Sequence, residues 1–113
     1  MPLVTLELAV KFVRQDLGAD DDVIQMALDG ATQASVDYLN RQVFETDGAM
    51  QVAITAGTAG DNPMVVNAAI KAAILKTTAE LYANREDSTL GSVAELPFNA
   101  RTLLRPHRIV PGV

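Results

Sequence analysis

The sequence predicts a small, mostly α-helical bundle of three main helices and a short C-terminal helix. Apolar residues recur at three- and four-residue spacing in separate segments, and capping or turn residues divide those segments. The chain is 49% hydrophobic but only 4% aromatic, so its core must pack many small side chains closely. At 113 residues it is expected to form a single domain, residues 1–113.

Composition also narrows the function class. The absence of Cys removes disulfides, Cys-ligated zinc and thiol catalysis. Residues 1–5 show no signal-peptide pattern, and no run approaches the length of a membrane span, so a soluble intracellular protein is expected. Residues 1–50 hold nine acidic and three basic residues (net −6), whereas residues 51–113 hold five acidic and six basic ones (net +1). The overall charge of −5 argues against a protein whose main function is to bind nucleic acid.

The first helix is predicted to start at Thr5, a good N-cap, and to end at Gly18. The run Asp20–Asp22 that follows is interpreted as the cap and acidic first turn of the second helix. A calcium or magnesium loop would need oxygen ligands at alternating positions and a closing Glu, which this run lacks.

The second helix is predicted from Val23 to Phe44, with an apolar stripe on one side and Asp29 and Asp37 on the polar side. Asp37 and Arg41 are four residues apart, in the order that favours an ion pair on a helix.

Residues 45–62 are predicted to be a variable loop, because they are rich in Gly, Asp and Asn. Within them Met50–Thr55 alternates weakly, which is compatible with a short strand. Two interpretations stay open for this long connection. It is either a loop that reaches a neighbour or lines a channel, or a disordered insertion.

The third helix is predicted from Met64 to Arg85, with Asp61 or Asn62 as its cap and Pro63 in its first turn. It is apolar on most sides, so it is the expected central helix, and part of its cover is expected to come from other chains. Two details follow from spacing and residue type: a Lys76–Glu80 ion pair, and Tyr82 packed inward.

After a loop at residues 87–95, Pro97 is predicted to open a short helix that Pro106 ends. Its inward residues are expected to be Ala100, Leu103 and Leu104. Residues 109–113 form an apolar, extended tail without capping signals.

The sequence predicts no enzyme, no cofactor and no metal site. The single His, His107, has no Cys or acid at ligand spacing. Residues 57–60 contain two Gly but lack the Lys-Ser/Thr ending that a phosphate loop requires.

The order of these signals resembles the small head–tail connector (adaptor, or head-completion) proteins of long-tailed DNA phages and related prophages. The resemblance covers almost the whole chain, although His107 stands where the family often has an aromatic residue. It rests on these pieces in this order: Val4-Thr5-Leu6, Leu17 before Asp20-Asp21-Asp22, Ala34 to Tyr38-Leu39, the loop before Pro63, Ala69-Ile70 with Leu75, Leu81 to Glu86, Leu96-Pro97, and Leu103 to Arg108.

The resemblance implies a homo-oligomeric ring of about a dozen copies in the virion neck, assembled in the host cytoplasm. Its implied partners are the portal protein, a tail-side completion protein, and genomic DNA that passes through the channel without specific recognition. The alternatives are a helical regulatory or chaperone-like interaction module that works as a dimer, and a nucleic-acid binder that uses the basic C-terminal segment.

Two groups of residues are predicted to mediate assembly. The first would pair charges within or between subunits: Lys71, Lys76, Arg85, Asp29 and Asp37. The second would dock on the portal, with the apolar tail adding an extended strand to it: Arg101, Arg105, Arg108, Ile109 and Val110.

Overall fold

The computed structural model describes residues 3–13, 21–83 and 98–109. These residues are mostly helical, which confirms the predicted class. The elements in chain order are α1 (Leu6–Phe12), α2 (Asp21–Leu39), β1 (Val43–Phe44), α3 (Asp47–Ala56), β2 (Met64–Val65), α4 (Ala68–Ala83) and α5 (Phe98–Leu104), followed by a 3-10 turn at Arg105–His107.

The core lies between α2 and α4, with α5 packed on α4 and α1 on both long helices. The C-terminal end of α2 and the N-terminal end of α4 both contact the segment Arg105–Ile109, so the two helices run antiparallel. The largest fully buried apolar side chains of this core are Ile24, Leu39, Ile70, Ile74 and Leu104.

Helix α4 is buried on most sides, as its composition predicted, and α1, α2 and α5 of the same chain contact it. The expectation that other chains supply part of its cover therefore loses its main support. Two buried polar residues fit in this core because the Thr77 hydroxyl donates to the Ala73 carbonyl at 2.8 Å and the Thr78 hydroxyl to the Ile74 carbonyl at 2.7 Å.

The predicted N-cap of the first helix is confirmed, since the Thr5 hydroxyl accepts a hydrogen bond from the Leu8 amide at 3.2 Å. The helix ends at Phe12, earlier than predicted, and Gly18 lies outside the described residues. Asp21 and Asp22 occupy the first turn of α2, where carboxylates interact favourably with the helix dipole.

Helix α2 ends at Leu39, so its predicted extension to Phe44 is wrong. Asn40 adopts a left-handed conformation (φ 57°), which α-helix cannot continue through, and Asn tolerates that conformation better than most residues. The chain then forms β1, which pairs in parallel with β2 in the register Val43↔Met64 and Phe44↔Val65.

The predicted start of the central helix at Met64 is also wrong, because Met64 and Val65 form β2. The helix begins at Ala68, and the Asn67 side-chain oxygen accepts from the Ile70 amide at 2.9 Å. Asn67, rather than Asp61 or Asn62, is therefore the N-cap.

A ten-residue helix, α3, lies inside the predicted loop at residues 45–62, so the strand expected at Met50–Thr55 is helical instead. Its ends carry ordinary capping signals. The Thr46 hydroxyl accepts from the Ala49 amide at 3.1 Å, and Gly57 closes the helix in the left-handed conformation (φ 76°).

Helix α3 has a glycine near each end, Gly48 in its first turn and Gly57 at its C-cap, and the same substitution at both gives a matched stability test. Gly57→Ala should lower the free energy of unfolding by about 1 kcal/mol, because a side chain at φ 76° is strained. Gly48→Ala, in the first turn of the same helix, should raise it by about 0.5 kcal/mol, because Ala loses less backbone entropy there. Urea denaturation of both variants measures the two shifts, and equal shifts would contradict the assigned cap.

Candidate assembly surfaces

The C-terminal segment Arg105–Ile109 folds back against the end of α2. The Ile109 amide donates to the Leu39 carbonyl at 2.9 Å, and the Asn40 side-chain amide donates to the Ile109 carbonyl at 3.2 Å. The last carbonyls of a helix have no partner within the helix, so this segment supplies one from the far end of the chain.

Arg108 strengthens the same contact. Its Nε donates to the Tyr38 carbonyl at 2.7 Å, and its guanidinium carbon lies 4.8 Å from the centre of the Tyr38 ring. A cation at the C-terminal end of a helix also interacts favourably with the helix dipole. Arg108 therefore holds the C-terminal segment on α2, a role that its place in a basic terminus did not reveal.

Arg41 joins three parts of the chain at this end of the bundle. Its Nε donates to the Asn62 carbonyl at 2.7 Å, and its two terminal nitrogens donate to the carbonyls of His107 (3.2 Å) and Pro63 (3.4 Å). The predicted Asp37–Arg41 ion pair does not form, because Arg41 lies beyond the end of α2 and faces these carbonyls.

His107 also lies in this junction, with its Nε2 3.4 Å from the Asn67 side-chain nitrogen. The Asn67 oxygen is occupied by the Ile70 amide, so the amide nitrogen faces His107 and must donate. In this contact the Asn67 amide nitrogen is therefore the donor and His107 Nε2 the acceptor.

Asn67 thus links the start of α4 to the C-terminal segment. Asn67→Ala should lower the free energy of unfolding by about 1 kcal/mol, the usual cost of a lost N-cap. Asn67→Asp keeps the capping oxygen, so most of that stability should remain. Thermal unfolding of the two variants tests this, and an equal loss in both would show that capping is not the main contribution.

Beside the C-terminal segment is an open cleft of about 530 Å³. It is bordered by the end of α2, the turn before β2 and Ile109, and two carboxylates lie at its edge, those of Asp37 and Asp61. No group of His, Cys, Asp or Glu side chains in the described residues is arranged to hold a metal ion. No described helix is long and apolar enough to cross a bilayer.

The predicted portal-docking residues differ in how freely they can reach a partner. Arg105 is exposed, whereas Arg101 is half-buried on α5 and already has an interaction within the chain. Arg108 and Ile109 make the contacts with α2 given above. Val110 lies outside the described residues.

None of the described subunit-interface candidates pairs with another of them. Lys76 pairs with Glu80 at 3.8 Å, as predicted, and Lys71 is exposed at the start of α4. On α2, Asp29 accepts from Gln25 and Asp37 from Gln33, each at 2.8 Å. Arg85 lies outside the described residues. Their role between subunits stays a prediction.

Sequence reasoning missed the exposed apolar surface. Val52 and Ile54 on α3, Leu8 and Phe12 on α1, and Met26 on α2 are all exposed. Among the described residues, the exposed large apolar side chains therefore lie on α1, α2 and α3, and the central helix carries none of them. The signals that could have located it are the cap residues Thr46 and Gly57, which define α3 as a helix.

Comparison with known proteins identifies a family for this chain. The family model for phage gp6-like head–tail connector protein matches residues 5–108. A search of curated proteins and a search of solved structures each gave no match. The family match covers all but the two ends of the chain.

Proposed function

The chain belongs to the phage gp6-like head–tail connector family, and we propose from this that it is a structural protein of the virion neck that forms an oligomeric ring between portal and tail. The ring would extend the DNA channel and complete the head for tail attachment. The family match over residues 5–108 is the observation that carries the proposal.

The features of the subunit support a structural role. Its long helices bury their apolar sides within the chain, while α1 and α3 keep exposed apolar side chains that other proteins can cover. A net charge of −5 also suits a wall past which DNA moves, because dense Lys and Arg contacts to phosphate would retain the duplex.

We assign portal docking to Arg105 and to the tail that continues beyond Ile109. Arg105 is exposed, and the contacts of Arg108 and Ile109 with α2 hold the chain in place directly before the tail. An apolar tail held at one end can add an extended strand to a partner at a lower entropic cost than a free peptide.

The proposal is tested by disrupting the gene in the phage or prophage that encodes it. Electron microscopy of the resulting lysate should show heads and tails that are not joined, and the gene supplied in trans should restore tailed particles. Normal tailed particles without the protein would contradict the proposal. If the purified protein forms only dimers in native mass spectra and is missing from particles, the dimeric interaction module becomes the better account.

Removal of residues 110–113 tests the docking assignment alone. The truncated protein should stay folded, because it keeps the contacts of Arg108 and Ile109 with α2. It should fail to restore tailed particles in the disrupted strain. Full restoration would contradict a docking role for the tail.

A further inference from the structure

Helix α3 is an apolar helix that the described chain leaves largely uncovered. None of its ten residues is buried, and among the described elements it packs mainly on the two short strands. Val52 is 71% exposed and Ile54 46%, and Asp47 is the helix's one charged residue. Surface helices of globular proteins normally turn such residues to a core, so the side of α3 that carries Val52, together with Gln51, Thr55 and Ala56, indicates a protein contact.

A second apolar face lies on α1. Leu8 is 42% exposed and Phe12 45% exposed, and their four-residue spacing places them side by side on the helix. Among the described aromatic side chains, Phe12 is the exposed one. Helix α1 packs on α2 and α4, whereas α3 packs on the strands, so the two faces belong to different parts of the subunit.

The exposed side of α3 offers a depression in which a large side chain of a partner can sit. The exposed side of α3 carries a shallow, mostly apolar depression of about 430 Å³, lined by Gln51, Val52, Thr55 and Ala56. Three of its four lining side chains, Val52, Thr55 and Ala56, are short, while the face on α1 presents an aromatic ring. Aromatic side chains that enter such depressions commonly supply much of the binding energy of an interface.

We propose that Leu8 and Phe12 of one copy pack into the α3 depression of the next copy in the ring. This inference rests on the proposed ring and names the surface that builds it. Two different faces in contact form a head-to-tail interface, which continues from copy to copy and closes into a ring when the rotation permits. A contact between two α3 helices would stop at a dimer and leave the α1 face uncovered.

The charge distribution favours a second copy as the occupant. Each copy carries a net charge of −5, so copies repel one another unless they meet where charge is sparse or balanced. Helix α3 has one charged residue, and the α1 face is flanked by Glu7 and Lys11, whose charges offset each other. Few other exposed surfaces of the described chain combine low charge with large apolar side chains.

The test uses engineered cysteines, which are unambiguous because the chain has none of its own. Leu8→Cys on one chain and Thr55→Cys on another leave Phe12 and Val52 in place. When the two variants are mixed and oxidised, the main product should be a disulfide that joins Leu8→Cys of one chain to Thr55→Cys of another. A chain that carries both substitutions should give a ladder of dimers, trimers and larger products. Asn99→Cys, exposed on α5, replaces Thr55→Cys as the control and should not react with Leu8→Cys.

Val52→Glu, added to the Thr55→Cys chain, should reduce the mixed product by at least about tenfold, because it places a charge in the depression. Circular dichroism should show an unchanged fold, since Val52 is exposed. Products that join only Thr55→Cys to itself would overturn the inference in favour of a symmetric dimer, and a disulfide within one double-variant chain would show that the faces meet intramolecularly.

The same double variant in phage particles separates this inference from the proposed function. A ring seen at the neck by electron microscopy without the Leu8–Thr55 cross-link would overturn the inference and leave the ring intact. Particles whose neck lacks the protein would overturn the proposed function itself. A cross-linked ladder recovered from the neck supports both.

Discussion

Replacing Leu104 with alanine should lower the free energy of unfolding by about 3–4 kcal/mol, the range for a leucine removed from a well-packed core. Leu104 is fully buried at the end of α5, the helix that packs on α4. It directly precedes the 3-10 turn Arg105–His107, so it also positions the segment that closes on α2. The substitution should therefore destabilise the core and weaken the attachment of the C-terminal segment to α2 at the same time.

Urea denaturation with a constant m-value measures this loss. The control is Leu103→Ala, the neighbouring residue, whose half-buried side chain should cost roughly half as much because less apolar area is lost. Amide hydrogen exchange at Ile109 should become faster in the Leu104 variant than in the control. A loss below about 1 kcal/mol for Leu104→Ala would show that α5 does not belong to the cooperative core.

Replacing Arg41 with alanine should cost about 2–3 kcal/mol, because it removes three hydrogen bonds from a charged donor and leaves carbonyls unpaired. The three carbonyls belong to Asn62, Pro63 and His107. The variant therefore loses the side chain that connects the turn before β2 to the C-terminal segment. The estimate lies below the sum of three such bonds, because the side chain is only half-buried and water replaces part of them.

The variant Arg41→Lys separates charge from geometry. Lysine keeps the positive charge, but its single ammonium cannot reproduce a planar fork that reaches three carbonyls, so about half of the stability loss should remain. Arg105→Ala, at an exposed arginine on the same segment, should change stability by less than about 0.5 kcal/mol. Thermal unfolding of the three variants tests this order. A Lys variant as stable as the native chain would show that charge alone is sufficient.

Much of the bundle could be predicted from the sequence, because its signals are local. Hydrophobic spacing located both long helices, and Thr5 marked the start of α1. The short helix α5 and the Lys76–Glu80 pair were also predicted correctly. Each of these follows from residues within one or two helical turns, the range over which periodicity and capping rules apply.

The boundaries around the middle of the chain could not be predicted, because two signals competed there. Pro63 is a favourable first-turn residue, yet it precedes a strand, and the real cap is Asn67. Met50–Thr55 contains β-branched residues that favour strands, while Thr46 and Gly57 cap the same stretch as a helix. The caps prevailed over the side-chain preference.

The junction around Arg41 could not be predicted for a different reason. Its acceptors are backbone carbonyls, which every residue carries, so no residue type in the sequence marks them. The periodic spacing suggested Asp37 as the partner, but that pairing requires the helix to continue through Asn40. The exposed α3 face was missed because the segment was expected to be a loop.

The contact between Asn40 and Ile109 joins residues 69 positions apart, and that between Arg41 and His107 joins residues 66 positions apart. This end of the bundle therefore cannot close before residues 107–109 have been synthesised and have left the ribosome. Long-range closure of this kind is a late event in folding. Chains terminated before Arg108 would lack the hydrogen bonds that Arg108 and Ile109 make with the end of α2.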